Sequence, residues 1–523
     1  MLRILFATLH SILRKSAVPI ASASVFLLSA AAALTSCDHY LDQMPQNQIR
    51  PSTTDDFTQL LNKAYITEQI MPYLDVLSDD VDLISSNYSS TSSYHNPNLG
   101  DKMLSAYMWE VTHELSMTPG DIAFEKFYQS IYYTNLVLQE IGHAQSSSLT
   151  GEELEAVRDN IRGEALALRA WSYFYLVNLY AAPYDPHSAA SAPGVPYTED
   201  TYAEDMIYRR SSVQEIYDHI RSDLETAVQL LQAHPSPKSS KFKFNARSAE
   251  ALLARVYLYT CQWERAARAA ENVLEACPEV ASLQEAAGHL TPENNEMDYV
   301  AKIDLWGEDY LQPSRSNILF VNGVNELLPA MSSWPIFTTF SVNPELADCY
   351  EKGDIRRQYF LVTYNVNLSF LGKKVRKLIY AKNRNIRPLA GPSLDAGYTR
   401  VLRTEELYLI LAEASVRQGK VVEAVAALNT LRKPKFRPES WKALEAGDFT
   451  PDSLLEEIFL ERRRELCFEG QRWFDLRRSG CPAQERTGYE GKTARLEKND
   501  PRYVLQIPQY ELTVNPEIGA NPR

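Results

Sequence analysis

Carboxylate and imidazole side chains are the usual components of hydrolytic sites, and this chain has 67 Asp and Glu residues and 9 His. His113-Glu114 is not followed by a second His at zinc-protease spacing, and no GxSxG or P-loop sequence occurs. A glycoside hydrolase needs two carboxylates that converge on a cleft. With 67 acids in the chain, the sequence neither establishes nor excludes such a pair. We therefore predict no catalytic residue and no cofactor, with a surface hydrolase as the alternative.

Metal-binding patterns are equally weak. Asp79, Asp80 and Asp82 form an acidic cluster that could hold Ca²⁺, which prefers oxygen ligands, but solvated loop acids are commoner. Five cysteines are scattered without a CxxC motif: Cys261, Cys277, Cys349, Cys467 and Cys481. We predict no metal site and expect these thiols to be buried apolar groups. The alternative for Cys261 and Cys277 is a disulfide across a helical hairpin.

The sixth cysteine, Cys37, has a distinctive context. Arg14 and Lys15 precede an uncharged run, Ser16–Leu34, which is rich in Ala, Leu and Val. Ala and Ser dilute this run, and small residues end it, as in a secretory signal rather than a membrane anchor. Leu34-Thr35-Ser36-Cys37 resembles the bacterial lipobox, in which the Cys is diacylated through its thiol and becomes the N-terminus. We predict a lipoprotein signal peptide over 1–36 and a lipid anchor at Cys37.

Composition narrows the classes of partner. Hydrophobic residues make up 45% of the chain and charged residues 23%, which is typical of folded globular proteins. The net charge is −14, and the first 36 residues carry basic groups but no acid, so the mature chain is more negative still. Phosphate backbones and anionic lipid headgroups repel such a protein. We therefore predict no nucleic-acid partner.

Helical periodicity dominates the chain after Cys37. The segments with apolar residues at helical spacing are Glu152–Tyr180, Ser212–Leu231, Ala246–Ala276, Arg403–Arg432 and Pro451–Leu476. Breaks near Gln262 and Gly419 divide the third and fourth segments into helix pairs, and Ser212 and Thr450 are predicted helix caps. The chain is therefore predicted to be mainly α.

The two helix pairs resemble each other. The matching positions are Leu253 with Leu411, Ala254 with Ala412, and Ala266 with Ala424. The first pair also has the residue spacing of a tetratricopeptide repeat, in which small Ala residues let paired helices approach closely. We predict a tetratricopeptide-type helical-repeat scaffold, mainly over 120–280 and 403–478. A helical hairpin unrelated to such repeats is the alternative.

Two regions lack helical periodicity. Residues 85–100 are rich in Ser, Asn and Tyr, and residues 283–397 form a long, mostly irregular segment with scattered Trp and Tyr. Short strands are predicted at Ile318–Val321 and Gln358–Val366. Long irregular segments in compact domains are usually functional or packed by their own side chains. We therefore expect ligand contact in these two regions.

Several motifs follow one another from Cys37 to Pro522. Gly163–Tyr180 has the sequence GEALALRAWSYFYLVNLY, Phe127–Asn135 has FYQSIYYTN, and Glu461–Arg478 has ERRRELCFEGQRWFDLRR. With the Cys37–Asp42 segment and the Asn-Pro pairs of the tail, these motifs resemble those of SusD/RagB-family lipoproteins, in the same order. Ala181 stands where the family pattern has Gly.

The resemblance implies a single SusD-like domain over 37–523 in an outer-membrane, surface-facing lipoprotein. Family members bind glycans, or in some cases peptides, and cap a SusC-like TonB-dependent transporter. The expected function is capture of oligosaccharides and their delivery to that transporter. A peptide-binding lid and a structural partner without ligand affinity remain alternatives. Asp38 is an inner-membrane retention cue in some other bacteria, but we expect a surface location.

The resemblance also places the ligand platform in the irregular loops. Sugar rings bind to flat aromatic faces flanked by hydrogen-bonding and charged groups. We therefore expect five residues to contact ligand: Tyr88, Tyr94, Trp306, Tyr310 and Arg315. Core packing is the commoner use of aromatic rings and is the alternative for each of these.

The charged motif Glu461–Arg478 invites a different interpretation. Leu466, Phe468, Trp473 and Leu476 interleave with its acids and arginines as predicted core anchors. We therefore predict that these charges form an ion-pair network that ties the last helix to the repeats, rather than a ligand site. Glu164 and Arg169 are likewise predicted to be packing residues.

Overall fold

Helices form most of the structure. The structure is a computed structural model, and it describes residues 51–83, 103–110, 122–201, 207–238, 240–290, 296–298, 307–323, 340–368, 373–382, 398–488 and 491–523. The helices are α1 Thr54–Asn62, α2 Leu74–Leu77, α3 Ile122–Glu140, α4 Gly151–Tyr180, α5 Val213–Ala233, α6 Ala246–Tyr259, α7 Trp263–Ala276, α8 Pro344–Asp348, α9 Arg356–Tyr359, α10 Thr404–Arg417, α11 Val421–Arg432, α12 Pro451–Leu466, α13 Arg472–Arg478 and α14 Gln509–Val514.

The strands are short and form small sheets. They are β1 Val81–Leu83, β2 Pro193–Pro196, β3 Arg210–Ser212, β4 Glu296–Asp298, β5 Ile318–Val321, β6 Phe340–Val342, β7 Leu361–Leu368, β8 Lys373–Tyr380, β9 Val401–Arg403, β10 Gln484–Thr487 and β11 Thr493–Leu496. The antiparallel pairs are β1–β6, β2–β3, β5–β9, β7–β8 and β10–β11, and β4 joins β7 in parallel. The strand predicted at Ile318–Val321 is confirmed, whereas the one predicted from Gln358 begins only at Leu361, because α9 precedes it.

The long helices stack as consecutive pairs. Helix α4 packs against α3 and α5, α5 against α6, α6 against α7, α7 against α10, and α10 against both α11 and α12. The predicted helical-repeat scaffold is confirmed, and the stack continues directly from α7 to α10 although the segment with β4–β9 separates them in sequence. Residues Thr53–Arg523 form one compact unit.

Local signals explain where the helices begin. Thr53, Ser212, Asn245 and Thr450 each cap a helix, accepting a hydrogen bond from the backbone N–H three residues later. The breaks predicted near Gln262 and Gly419 are also found, since α6 ends at Tyr259 and α10 ends at Arg417.

The last predicted helix is interrupted. Instead of one helix over Pro451–Leu476, α12 ends at Leu466 and α13 begins at Arg472. Phe468 (φ 58°) and Gly470 (φ 68°) lie between them in the left-handed region, which ends a right-handed helix. The predicted core anchors around this break, Leu466, Phe468, Trp473 and Leu476, are all buried.

Close helix contacts depend on small residues. Ala254 and Ala266, predicted to lie where paired helices touch, are both 0% exposed. A Cβ on Gly163 of α4 would lie 2.9 Å from Leu231 Cγ of α5, so a larger residue would force these two helices apart. In the described residues, no helix is both long and apolar enough to cross a bilayer.

Candidate functional site

A polar cleft of about 600 Å³ lies beside the strand pair β1–β6. Its lining residues are Asp79, Val81, Asp82, Leu83, Tyr107, Asn343, Glu345, Ala483, Gln484, Glu485, Arg486 and Thr487. These residues come from four separate parts of the chain: β1, Tyr107, the start of α8, and β10. The segment 85–100, predicted to face a ligand, follows this lining almost directly after Leu83.

Regular pairing holds the walls of the cleft in place. In the β1–β6 register, Asp82 lies opposite Ser341. Asn343 then caps α8 by accepting from Glu345 N (2.9 Å), and its side-chain amide donates to Asp79 O (3.0 Å). On the other wall, β10 pairs with β11, with Gln484 opposite Leu496 and Thr487 opposite Thr493. Both walls are therefore fixed by backbone pairing or a helix cap.

Arg486 is one of the residues that line the cleft. Its guanidinium lies over the ring of Trp109 (3.5 Å to the centroid) and near that of Tyr107 (4.5 Å). Its Nη1 and Nη2 donate to the backbone oxygens of Val76 (2.9 Å) and Leu77 (2.8 Å). Burial lowers the pKa of Arg486 to about 9, so the guanidinium is still protonated at neutral pH. Arg486 thus connects β10 to the end of α2 and to the ring of Tyr107.

Tyr107 and Asp82 form a second polar contact in the cleft. The Tyr107 hydroxyl lies 3.4 Å from Asp82 Oδ1 and 3.3 Å from Thr487 O. Burial raises the pKa of Tyr107 to about 12, so the hydroxyl remains a hydrogen-bond donor at neutral pH. Carboxylate, amide and hydroxyl groups therefore face one another across a space large enough for a small ligand.

Two acids of the cluster considered for Ca²⁺, Asp79 and Asp80, are bound by arginines instead. Arg472 donates to both oxygens of Asp79 (2.7 and 2.8 Å), and Arg463 Nε donates to Asp80 Oδ1 (2.6 Å). Burial opposes ionisation of Asp79, but the Arg472 hydrogen bonds outweigh it and lower the pKa of this carboxyl. In the described parts of the chain, no group of three or more His, Cys, Asp or Glu side chains could hold a metal ion.

The two described residues that were predicted to contact ligand, Tyr310 and Arg315, do not line this cleft. Tyr310 is 0% exposed, and its hydroxyl donates to Glu465 (2.8 Å) and accepts from Lys435. Its ring therefore cannot stack on a sugar at the surface, and the expectation of ligand contact by Tyr310 is replaced by the core-packing alternative. Arg315 is half-buried, donates to Asp309 O (3.2 Å) and does not line the cleft. Cys37, Tyr88, Tyr94 and Trp306 lie outside the described residues.

Most of the cleft residues carry no signal in the sequence. Tyr107, Gln484 and Arg486 lie in short segments with no helical periodicity and no recognisable motif. Pairing between β1 and β6, some 260 residues apart, helps to create the cleft, and no local pattern signals that pairing. The expectation of buried thiols holds for Cys467 and Cys481, whereas Cys261, Cys277 and Cys349 are half-buried. All five are free thiols, so Cys261 and Cys277 form no disulfide.

The charged motif forms the predicted ion-pair network. Arg356 contacts Glu461 (2.6 Å) and Glu465 (2.9 Å), and Lys382 contacts Glu469 (2.6 Å), all with buried side chains. Burial alone would raise the pKa of Glu465, but Lys435, Arg403 and Arg356 together lower it. The network is enclosed in the interior and offers no surface to a ligand. Its partners come from the loop-rich segment and α10–α11 as well as from α12.

Glu164 and Arg169 are packing residues, but they do not pair with each other. Glu164 accepts from Tyr65 (2.7 Å), and Arg169 makes two hydrogen bonds to Asp223 of α5 (2.7 and 2.8 Å). The motif Gly163–Tyr180 therefore joins α4 to its neighbours.

Comparison with known protein families accounts for both motif regions. A model of SusD-like proteins, described as "Starch-binding associating with outer membrane", matches residues 39–258, and the SusD family model (SusD_RagB) matches residues 390–523. The chain belongs to the SusD/RagB family. Among SusD-like relatives, SusD-like protein P38 of Formosa agariphila is 24% identical over 543 residues, covering 96% of this chain and 98% of its own.

Solved structures share the SusD-like fold. A SusD superfamily protein from Bacteroides thetaiotaomicron superposes with a TM-score of 0.68 at 24% identity, covering 90% of this chain and 100% of its own. A SusD-like carbohydrate binding protein from Bacteroides vulgatus gives a TM-score of 0.64 at 20% identity, covering 89% and 97%. Each of these two superpositions covers nearly the whole chain rather than a single pair of helices.

Proposed function

We propose that this SusD/RagB-family protein is a non-catalytic, surface-exposed lipoprotein of the outer membrane that captures oligosaccharides and delivers them to a SusC-like TonB-dependent transporter. The observation that carries the proposal is the match of 39–258 to a family model described as starch-binding and associated with the outer membrane. The solved relative from Bacteroides vulgatus, described as carbohydrate binding, supports the same ligand class.

Residues 1–36 act as the signal peptide in this proposal, and Cys37 carries the lipid anchor of a single domain over 37–523. The support is the uncharged run before Cys37 and its lipobox-like end. Two or three acyl chains hold a protein at a membrane durably, whereas one chain does so only marginally.

The polar cleft is the proposed centre of glycan binding, together with the aromatic residues of the irregular loops. Asp82 and Gln484 offer groups that hydrogen-bond sugar hydroxyls, and Thr487 adds an exposed hydroxyl. Tyr88, Tyr94 and Trp306 would supply the ring faces, and Arg315 remains a proposed contact from the loop-rich segment. Tyr310 is left out because its ring is buried.

Weak binding is expected at such a site. A shallow, hydrated surface gains few contacts against the cost of ordering ligand and side chains, so dissociation constants on the order of micromolar to millimolar are expected. A polymer that engages several copies, or a ligand that passes directly to a transporter, makes weak binding sufficient.

A glycan array followed by calorimetry tests the proposal. The mature protein is screened first, and the best-binding glycan is then titrated into Tyr88→Ala, Tyr94→Ala, Trp306→Ala and Thr487→Ala. Each ring removal is expected to weaken binding by about 1 kcal/mol or more. Tyr132→Ala and Thr226→Ala, which change exposed residues of α3 and α5, are the matched controls and should bind like wild type.

Three outcomes would count against parts of the proposal. If all four variants bind like wild type while folded, the platform lies elsewhere. Binding of peptides but not glycans would favour the peptide-binding lid. Chromatography of the glycan after incubation tests for turnover, and shortened products would show a hydrolase rather than a binding protein.

A further inference from the structure

We propose that the cleft selects neutral over anionic glycans, so that the part of an oligosaccharide that enters it carries neither uronate nor sulfate groups. The inference rests on the proposed function, because it names the class of glycan for the same cleft. It is carried by the charges that line the cleft and by the way each of them is paired.

Carboxylates outnumber cations among the charged groups that line the cleft. Asp79, Asp82, Glu345 and Glu485 face it, together with Arg486. Arg472 balances Asp79 at 2.7 and 2.8 Å. The partners of Asp82 are the Leu83 N–H (2.8 Å) and the Tyr107 hydroxyl (3.4 Å), which are both neutral donors. Neutral dipoles therefore solvate its negative charge, which the nearby Arg486 guanidinium offsets in part.

The other two acids lie at the exposed side of the cleft. Glu345 is exposed on the first turn of α8. Glu485 contacts Arg495 at 2.5 Å, but both side chains are more than half exposed, and water weakens such pairs. A ligand group that enters the cleft therefore meets the field of Asp82, Glu345 and, in part, Glu485.

Arg486 is the one cation among the described lining residues of the cleft, so it offsets these charges only in part. Both of its Nη atoms donate to the backbone oxygens of Val76 and Leu77, and its planar face lies against Trp109. A carboxylate or sulfate bound by arginine usually takes two parallel N–H donors. Two of the five N–H donors of Arg486 are engaged in this way, which leaves it fewer donors for an anion.

The composition of the chain is consistent with a neutral ligand. Residues 85–100, which follow β1, contain Ser, Asn, Thr and Tyr but no Asp, Glu, Lys or Arg. In composition, hydroxyl and amide groups of this kind suit the hydroxyls of neutral sugars rather than anionic groups. The acidic net charge of the whole chain, −14, adds repulsion at longer range.

A matched pair of ligands tests the charge preference. The best neutral glycan from the array is compared with its derivative in which the C6 hydroxyls are oxidised to carboxylates, and with the corresponding neutral C6 carboxamide. We expect the carboxylate to bind about tenfold more weakly than the carboxamide at low salt, since like charges a few ångströms apart repel at this scale. Raising the ionic strength from about 0.01 M to about 1 M should reduce the difference between the two affinities, because the screening length falls from about 30 Å to about 3 Å.

Two double variants assign the effect to the cleft. The first double variant, Glu345→Gln/Glu485→Gln, should reduce the ratio of carboxamide affinity to carboxylate affinity. The second, Glu423→Gln/Glu439→Gln, changes exposed positions outside the cleft lining and should leave this ratio unchanged. Equal affinity for carboxylate and carboxamide, or an array on which uronate or sulfated glycans bind best, would overturn the inference.

A ligand-free measurement separates this inference from the proposed function. Neutral and anionic nitroxides of equal size are added to deuterated, ¹⁵N-labelled protein, and the broadening of the Gln484 and Thr487 amide signals is compared. We expect the neutral probe to broaden them more. Equal or greater broadening by the anionic probe overturns the charge inference. If the neutral probe broadens these signals more but the protein binds no glycan, the charge inference stands and only the proposed function is overturned.

Discussion

Arg403 Nη1 and Glu465 Oε1 lie 2.7 Å apart in the interior, with 1% and 0% of their side chains exposed. Arg403 ends β9 and Glu465 lies near the end of α12, so this pair joins the segment with the strands to the C-terminal helices. Arg356 and Lys435 contact the same carboxylate, at 2.9 and 3.8 Å. One acid therefore balances charges from three separate parts of the chain.

Replacing that acid should destabilise the fold strongly. Glu465→Gln keeps the shape of the side chain but leaves Arg403, Arg356 and Lys435 with too little negative charge in the interior. Breaking a buried ion pair on one side costs about 3–5 kcal/mol, and we expect a loss of that size in the free energy of unfolding measured with urea. Glu497→Gln, at an exposed position, should change it little. A loss below about 1 kcal/mol would show that the network is hydrated or unimportant.

Asp75 should make stability depend on pH. Burial, reinforced by the neighbouring Asp80 carboxylate, raises the pKa of Asp75 from 3.8 to about 7. The folded protein thus holds this proton more tightly than the unfolded chain, so the contribution of Asp75 is complete below about pH 4 and is lost as the pH rises through 7. Asp75→Asn cannot lose a proton, and its amide oxygen can still accept the hydrogen bond from Gly470 N.

Melting temperatures between pH 4 and 8 measure this effect. The difference between Asp75→Asn and wild type should grow in favour of the variant as the pH rises. Asp448→Asn, an exposed substitution, is the control for general charge effects. A constant difference across this range would mean that Asp75 is ionised at acidic pH in the folded protein.

Large residues at the helix contacts should unfold the scaffold. Ala254→Trp and Ala266→Trp insert a ring where α6 and α7 have no free space, since both alanines are 0% exposed. Overpacking typically costs about 1–3 kcal/mol, and so large an insertion should cost more. Ala426→Trp on the exposed side of α11 is the matched control. Thermal melts in which all three variants resemble wild type would contradict the proposed packing.

Removing the lipidated thiol should release the protein from the membrane. Cys37→Ala is expected to leave the chain soluble in the periplasm or uncleaved, because the proposed anchor is the acyl group at this residue. Fractionation of cells and surface labelling provide the measurement, with Cys349→Ala as a cysteine control outside the lipobox-like sequence. Equal recovery of Cys37→Ala and wild type from surface membranes would rule out Cys37 as the anchor.

The helices of this protein were predictable because their signals are local. The apolar spacing of α4 and α5, the caps at Ser212 and Thr450, and the breaks near Gln262 and Gly419 all depend on residues within a few positions of one another. The existence of an ion-pair network at α12 was predictable, because apolar residues interleave with the charged residues of this segment. Its partners Arg356, Arg403 and Lys435 were not, because nothing in the sequence couples charges so far apart.

The position of each aromatic residue was decided by tertiary structure. Tyr310 looks like Tyr88 or Tyr94 in sequence, a tyrosine in an irregular segment, yet packing places it in the interior, where its hydroxyl contacts Glu465 and Lys435. The cleft depends in the same way on β1, β6 and β10 meeting from distant parts of the chain. Sequence alone determined the family and most of the helices, and it predicts the lipid anchor at Cys37. Tertiary structure decided which polar side chains face one another, since that depends on long-range packing that no local pattern encodes.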